Sequence, residues 1–539
     1  MKKKLISLFL CGTLAASVLT GCGGGGKSAP TAGGETETTA SILETAENVN
    51  AELETGKEDV TYKDSIVIAT TNDLPSNAPY GSNNTQTAML TNSTFNRLVK
   101  INSENEILPD LATSWSGNED STVWTFQLRD DVKFQNGKPL TAEDVVFTFE
   151  YAASTTNEGI TFPINGTEHI DSMETPDDHT VVFNLTDTCA DWPYYAAQKI
   201  MSKATIEEEG IEAGGAIGTG PFKFVSYEPG VQWVMERNED YFGDVPLTRQ
   251  ITFTVITDDN ARALSIESGD VDVVFDPNPA DIVKFLNNPD YNVYQNTSLS
   301  NIFLGINCAR EGGSLEIRRA LAMAISRDDL EAACYEDGQL GTASFNYVNT
   351  ASPLHAEVEA IPYDPEGAVE ILKGLGYDEN NKLPLRLCAA GKFIPLAEII
   401  QANLAAVNID LTVSEFSQAG FSASLREDGK YDMYLQQSSS QGSILNIVQR
   451  FFSTGGQSNV MNYSNPELDA MMDEATRSKN LDEMAERYAE IQQVLADEVP
   501  AIPLIEQYLW CIGTKGFYGI DLNNQYYYVD FTNCVVVEE

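Results

Sequence analysis

Apolar positions recur along this chain with two different periods, and the balance between them shifts near residue 310. Before that point, short alternating stretches dominate. In "STVWTFQLRDDVKFQNGKPLTAEDVVFTFEYA" (121–152), Trp124, Phe126 and Leu128 alternate with Thr125 and Gln127, which predicts a strand with one buried face. "QNGKP" reads as a turn. Thr141 then has the chemistry of a helix cap, with Asp144 three residues on and Val145, Phe149 and Ala152 on one face. "DSIVIATTNDLPS" reads as a strand followed by a loop, and "DDHTVVFNL" as a turn and a strand. "GTGPFKFVSYEPGVQWVMERNEDYF" reads as a turn and a hairpin, because Pro221 and a strand, not a helix, follow its glycines.

After residue 310 the period lengthens to that of amphipathic helices. "SLEIRRALAMAISRDDLEAACY" predicts one helix from Ser314 that buries Ile317, Leu321, Ala324 and Ile325. "YDPEGAVEILKGLGY" has Pro365 near its start and Gly374 at its end, the asymmetry of a helix. "NPELDAMMDEA" offers Asn465 as cap and Pro466 as first helical residue. "NLDEMAERYAEIQQVLADEVP" aligns Leu481, Met484, Tyr488, Ile491 and Leu495 on one face. The short apolar runs "LPLRLCAA" and "NIDLTVSEF" lie between these helices and read as strands. Strands alternating with helices imply α/β domains with helix-covered sheets.

The N-terminus carries a separate signal. Lys2, Lys3 and Lys4 precede the apolar run "LISLFLCGTLAASVL", which ends at Leu19-Thr20-Gly21-Cys22. A basic segment, an apolar segment and a small-residue cleavage site describe a secretory signal. From Gly21 the same letters also spell G-x-x-x-x-G-K-S, the phosphate-binding loop pattern. That loop works only between a strand and a helix, and Pro30, Gly33, Gly34 and the threonines that follow make a poor helix start. The site at Gly21-Cys22 resembles the lipobox of bacterial lipoproteins, which implies lipidation of Cys22 and stable anchoring by more than one acyl chain. Residues 23 to about 60, rich in Gly, Thr and Glu, read as a flexible linker with a span of roughly 35 Å. No later stretch approaches the ~18 consecutive apolar residues that a membrane span needs.

Composition narrows the function classes. The 539 residues include 33 Lys+Arg and 80 Asp+Glu, a net charge of −47, which repels phosphate backbones and makes nucleic acid an unsuitable partner. Hydrophobic residues at 42% and aromatics at 9% make most of the chain globular, enough for two or three domains. Cys189, Cys308, Cys334, Cys388, Cys511 and Cys534 are scattered without a C-x-x-C pair, so buried free thiols are expected and no pairing is assigned.

Catalytic signatures are missing from the sequence. His169, His179 and His355 are the only histidines, and none has a partner at metal-ligand or triad spacing. No H-E-x-x-H or G-x-S-x-G occurs. A carboxylate-dependent secreted hydrolase stays open as a reading, since 80 acids leave the presence of a carboxylate pair uninformative. No metal and no cofactor is expected. A tethered multi-domain α/β chain with these features points to a binding protein.

The order of motifs resembles the family 5 extracellular solute-binding proteins, which serve ATP-driven importers of peptides, nickel complexes and related solutes. The resemblance rests on "LPDLATSWSGNEDSTVWTFQLRDDVKFQNGKPLTAEDVVFTFE", "GTGPFKFVSYEPG", "LGINCAREGGSLEIRRALAMAISRDDL", "YDPEGAVEILKGLGY", "GKYDMYLQQSS", "YSNPELDAMMDEA" and "VPAIPLIEQ", in the family's order over about residues 64–539. It implies an α/β, periplasmic-binding-protein-like clamshell of type II, with an extra domain inserted in the first of two lobes. The implied segments are a signal peptide at 1–21 and a lipidated tether at 22–61. The first lobe takes 62–101, 223–309 and 513–539, the extra domain 102–222, and the second lobe 310–512, with crossings near 308–312 and 511–515. The implied role is a monomeric, extracytoplasmic protein held to the cell membrane through Cys22. It captures a solute by hinge closure, without covalent chemistry, and delivers it to ABC importer permease subunits. Short peptides lead as solute, with a polar neutral solute or metal chelate as the alternative.

The same resemblance suggests where solute would sit. Peptide binders of the family carry a tryptophan and then an aspartate after "YDM", and the aspartate pairs with the peptide's amino terminus. Here the stretch is "YLQQSSSQGS", so Gln436, Gln437, Ser438, Ser439 and Gln441 offer neutral hydrogen bonds instead. A buried ammonium there would lose its partner, at a cost of several kcal/mol. Further candidates are Tyr80, Asn83, Asn84 and Gln86 in the loop "PYGSNNTQTAM", Asn346 and Tyr347 in "ASFNYVNTASPLH", and Phe416 after "DLTVSE". On this reading, Gln437→Ala and Asn84→Ala both weaken solute binding with little change in the melting of the empty protein.

Overall fold

The structure, a computed structural model, describes residues 61–538 apart from 83, 103–105, 162–163, 165, 337, 418–419, 422–423, 426–429, 439–445 and 523–528. The leader, Cys22 and the linker lie outside the described residues, as do Asn83, Ser439 and Gln441.

One sheet of eleven strands organises the chain. Its spatial order is Ile409–Phe416, Leu383–Ala390, Met433–Gln437, Tyr291–Ile306, Ala501–Thr514, Val273–Phe275, Ser65–Thr70, Gln250–Val255, Gln232–Arg237 and Phe222–Glu228, with Gly341–Ala343 paired to Ala501–Thr514 off this path. The two long central strands, of 16 and 14 residues, are antiparallel and run through both ends of the sheet. Their outer part pairs Tyr291 with Thr514 through Thr297 with Tyr508, and their inner part pairs Asn301 with Glu506 onward. Register shifts between Thr297 and Asn301, so the ladder is broken midway along both strands.

A separate four-stranded antiparallel sheet, ordered Ala112–Gly117, Val123–Leu128, Thr180–Leu185, Ile170–Asp177, lies within the stretch expected to form an extra domain. Phe126 and Phe183 stack edge-on at 5.6 Å, and Phe149 of the helix Ala142–Tyr151 meets Phe183 at 5.0 Å. Trp192, wholly buried, closes the cluster at 5.1 Å from Phe183. Each such ring contributes about 1.5–3 kcal/mol through burial. The same core continues through Phe303 and Tyr347 to the helices Asn446–Phe452, Pro466–Thr476 and Leu481–Glu498.

Helix starts follow their caps. The Thr141 backbone amide donates to Asp144 Oδ2 at 2.8 Å, completing the predicted box. Asn465 takes the amides of Glu467 and Leu468, with Pro466 next. Met484, Tyr488 and Ile491 are fully buried on the predicted face. The single helix expected from Ser314 is in fact two, Leu315–Ala324 and Arg327–Cys334. Ile325 is extended (φ −89°, ψ 114°) and Ser326 accepts the Asp329 amide at 3.1 Å, so a new helix starts with Asp328 and Asp329 in its first turn. The glycines of "GTGPF" serve packing: a Cβ on Gly218 would lie 2.1 Å from the Thr94 carbonyl oxygen, and one on Gly220 2.5 Å from the Thr94 carbonyl carbon.

Candidate functional site

Strand direction locates the site. Ser65–Thr70 is parallel to Gln250–Val255 and to Val273–Phe275, so their carboxyl ends share one side. Leu383–Ala390 is parallel to Ile409–Phe416 and to Met433–Gln437. The two groups are linked by antiparallel pairings through the central strands, and therefore point at each other. Both sets of carboxyl ends converge on the register break at 297–301. Solutes bind in open α/β sheets outside the carboxyl ends of strands, because the chain leaves the sheet there and opens a crevice.

The floor at that line is polar and largely satisfied. The Ser300 hydroxyl donates to the Ser438 carbonyl at 2.5 Å, and the Ser438 amide donates to the Asn301 carbonyl at 2.8 Å. Asn301, 1% exposed, donates through Nδ2 to the Tyr347 carbonyl at 3.0 Å and accepts from Asn349 Nδ2 at 2.8 Å. Gln437 Nε2 donates to Ser300 Oγ at 3.0 Å, and its Oε1 accepts from Lys392 Nζ at 2.7 Å. Charge stands on both sides. Lys392 follows Leu383–Ala390 and Asp276 follows Val273–Phe275, and both reach solvent. Crowding by protein raises the Asp276 carboxyl, with Lys392 and Arg262 opposing; it lowers the Lys392 ammonium, with Asp276 opposing. Asp276 sits in the left-handed region at φ 52°, and its amide donates to the Trp510 carbonyl.

Among the described residues, buried groups near this line without a hydrogen-bond partner include Gln436 Nε2, the Tyr347 hydroxyl and Gln507 Oε1. Burial holds the Tyr347 hydroxyl far above its usual range; Arg450 and Ser438 oppose this, although no hydrogen bond of standard geometry forms. Its ring lies edge-on to Phe452 at 4.3 Å and to Phe303 at 5.1 Å. An unpartnered buried amide is expensive, so a group aimed at solute is a natural reason for one.

The sequence-selected residues divide accordingly. Gln436, Gln437, Ser438 and Tyr347 meet at the convergence line, and Phe416 ends a strand opposite Ala390, its ring edge-on to Tyr431 at 6.0 Å. The other described candidates make contacts to the scaffold. The Tyr80 hydroxyl donates to the Lys199 carbonyl at 2.9 Å. Asn84 Oδ1 accepts the Thr87 amide at 2.9 Å and caps the helix Thr85–Thr94. Gln86 is buried and donates to Thr70 Oγ1 at 2.9 Å. Asn346 donates to Gln492 Oε1 and the Ala356 carbonyl, both at 2.7 Å, and accepts the Val348 amide. Sequence reasoning missed Asp276, Lys392, Ser300 and Asn301. The one signal available was a charged residue just past an apolar run, in "VDVVFDPNP" and "LCAAGK".

Among the described residues, no group of three or more His, Cys, Asp or Glu could hold a metal ion, and no helix is long and apolar enough to cross a membrane. The six described cysteines are unpaired, and burial raises the Cys511 and Cys534 thiols well above their usual range.

Comparison with known proteins bears directly on this crevice. A profile of the bacterial extracellular solute-binding proteins, family 5, matches residues 106–459. The chain belongs to that family. Among curated relatives, the heme-binding protein A of Haemophilus influenzae is 26% identical over 447 residues, covering 76% of this chain and 81% of that protein. The di/tripeptide-binding protein 1 of Pseudomonas aeruginosa is 27% identical over 446 residues, covering 76% and 82%. The crystal structure of the ABC transporter substrate-binding protein CtaP from Listeria monocytogenes superposes with a TM-score of 0.79 at 22% identity, covering 89% of this chain and all of that one. At that identity the superposition speaks for the fold alone, and the fold is the type II periplasmic-binding-protein architecture of family 5 solute-binding proteins.

Proposed function

We propose that this family 5 protein is the extracytoplasmic, lipid-anchored solute-binding subunit of an ABC importer, with short peptides as its solute. The observation that carries the reading is the pair of facing carboxyl ends on either side of a broken central ladder. Each half supplies its own polar groups, so a solute bridging them favours the shut arrangement in proportion to contacts made only there. The di/tripeptide-binding relative supports the solute class. The anchor rests on Cys22, with 22–61 as tether after removal of 1–21. The lobe bounds read from sequence, 62–101, 223–309 and 513–539 against 310–512, shift to 62–101, 223–300 and about 508–539 against 301–507, because 302–306 pack with the second lobe and 511–513 pair with 273–275; 102–222 is the extra domain. The register break at 297–301 and the facing residues near 506–508 are the flexing line, ahead of the 308–312 crossing read from sequence. The protein acts as a monomer, passes intact solute to the permease subunits and carries out no covalent chemistry.

Gln436, Gln437 and Ser438, with Tyr347, form one wall; Asp276 and Lys392 are the charged groups that reach the crevice. The neutral Gln/Ser run, beside a lysine, favours a second solute class: polar neutral molecules or chelates lacking a free α-ammonium. Native mass spectrometry of the protein as isolated, calorimetry with dipeptide and chelate libraries, and small-angle scattering test the reading together. Intact solute with compaction on binding is expected. Turnover of a compound without compaction would refute it.

A further inference from the structure

Behind the aromatic wall, and apart from the crevice, a second cavity lies between the helices Leu315–Ala324 and Leu481–Glu498 and the segment 345–361. It has ≈ 440 Å³ of atom-free space with its open mouth counted, tapering to room for roughly one or two waters. Arg327, Phe345, Asn346, Phe452, Gln492 and Ala496 contribute to its lining.

Arg327 is 5% exposed, yet among the described residues it has no carboxylate within 4.0 Å. Its Nε donates to the carbonyls of Ser344 at 2.9 Å and Pro503 at 2.8 Å, which fixes the plane of the guanidinium. The Phe345 ring covers one face, 4.9 Å from Cζ. The two terminal nitrogens have no hydrogen-bond partner among the described residues, and they are not sealed from solvent. Among the described residues, the acid that acts on the group electrostatically is Asp328, its exposed chain neighbour. Burial pulls the Arg327 pKa down to about 10, so it stays charged at neutral pH.

The two side-chain amides of the lining have no capacity left for this charge, and Tyr347, which also lines the cavity, offers a neutral hydroxyl but no counter-charge. Gln492 Nε2 donates to the carbonyls of Leu354 and Tyr488, and its Oε1 accepts from Asn346 Nδ2 and the Ala356 amide. Both Asn346 amide atoms are likewise engaged. A buried cation with no protein counter-charge is costly unless an anion completes it. Two parallel N–H donors at the end of a fixed guanidinium match the two oxygens of a carboxylate.

We infer that this cavity is a second binding site, taking a small free carboxylate of formate or acetate size on the terminal nitrogens of Arg327. The site shares Tyr347 with the wall of the proposed crevice, but its anion contact is the Arg327 guanidinium, which the crevice does not use. The test uses the full chain without added solute, melted in sodium formate and in sodium fluoride at equal ionic strength. At ten times its dissociation constant, formate raises the midpoint by about 1–2 °C over fluoride. A crystal grown in formate shows it against the Arg327 terminal nitrogens. Arg327→Gln and Ala496→Leu, which fills the cavity and leaves the arginine in place, both lose the difference; if the first does not fold, the second decides. Equal midpoints in the two salts for the wild type, persistence of the shift in Ala496→Leu, or formate bound only elsewhere would overturn the assignment.

Discussion

Replacing Asn84 by alanine separates a structural role from a solute-binding one. Asn84 Oδ1 takes the Thr87 amide at 2.9 Å, and its carbonyl takes the Ala88 amide at 3.1 Å. No acidic residue stands in the first turn of Thr85–Thr94 to replace the lost oxygen. Loss of an asparagine cap costs about 1 kcal/mol. A chain of this size shifts only about 1 °C per kcal/mol, so bulk melting is a blunt readout. Amide hydrogen exchange is sharper, because 1 kcal/mol of local stability speeds exchange about fivefold. Thr87 and Ala88 should therefore exchange about fivefold faster in Asn84→Ala, and Asn84→Ser, which keeps a capping oxygen, should restore them. Solute affinity should stay within about threefold of wild type in both. Unchanged exchange, together with a tenfold affinity loss that serine does not restore, would refute the capping argument and return Asn84 to the crevice.

Other perturbations test the crevice and the core. Gln437→Ala breaks the Lys392–Gln437–Ser300 chain and should weaken solute capture by about tenfold in calorimetry, with less than about 1 °C change in the empty protein. Asp110, whose carboxyl burial pushes up to about 6, binds its proton more tightly folded than unfolded. Its penalty is therefore present at neutral pH and is relieved as pH falls through 6 toward 4; Asp110→Asn should flatten that gain in urea midpoints across this window. Under native conditions a thiol reagent should modify Cys334 and Cys308, which are partly exposed, and spare Cys189, Cys388, Cys511 and Cys534 until the protein unfolds. Early labelling of the last four would contradict their burial.

Helix starts were the most legible part of the chain, because caps are local chemistry. Thr141 with Asp144, Asn465 with Pro466 and Pro365 with Gly374 each needed only a few residues of context. The break at Ile325-Ser326 was hidden because Ile325 continues the apolar stripe and is buried either way. The strand 501–514 is largely apolar because much of both faces is covered, and 291–306 carries a polar run from Gln295 to Ser298 with no period of two, so periodicity alone could not mark them. The candidate site split for a similar reason. Gln436, Gln437 and Ser438 lie on a strand end whose position the family resemblance supplied. Asn84, Gln86 and Asn346 have the same side-chain chemistry, but an amide satisfies a local backbone as readily as a solute, and only coordinates tell the two apart. Asp276 and Lys392 gain meaning from strand direction, which no window of sequence contains.

The strand Ala501–Thr514 supplies backbone partners to Val273–Phe275 at one end of the sheet and to Gly341–Ala343 at the other, besides its long ladder with Tyr291–Ile306. Those partners are made about 160 to 240 residues earlier in synthesis. A growing chain therefore carries two unfinished sheets with open edges until nearly its last residues are available, and neither half can complete itself alone. Truncation anywhere before residue 501 should leave both ends unable to mature, and late completion keeps the polypeptide threadable for as long as it is being moved across a membrane.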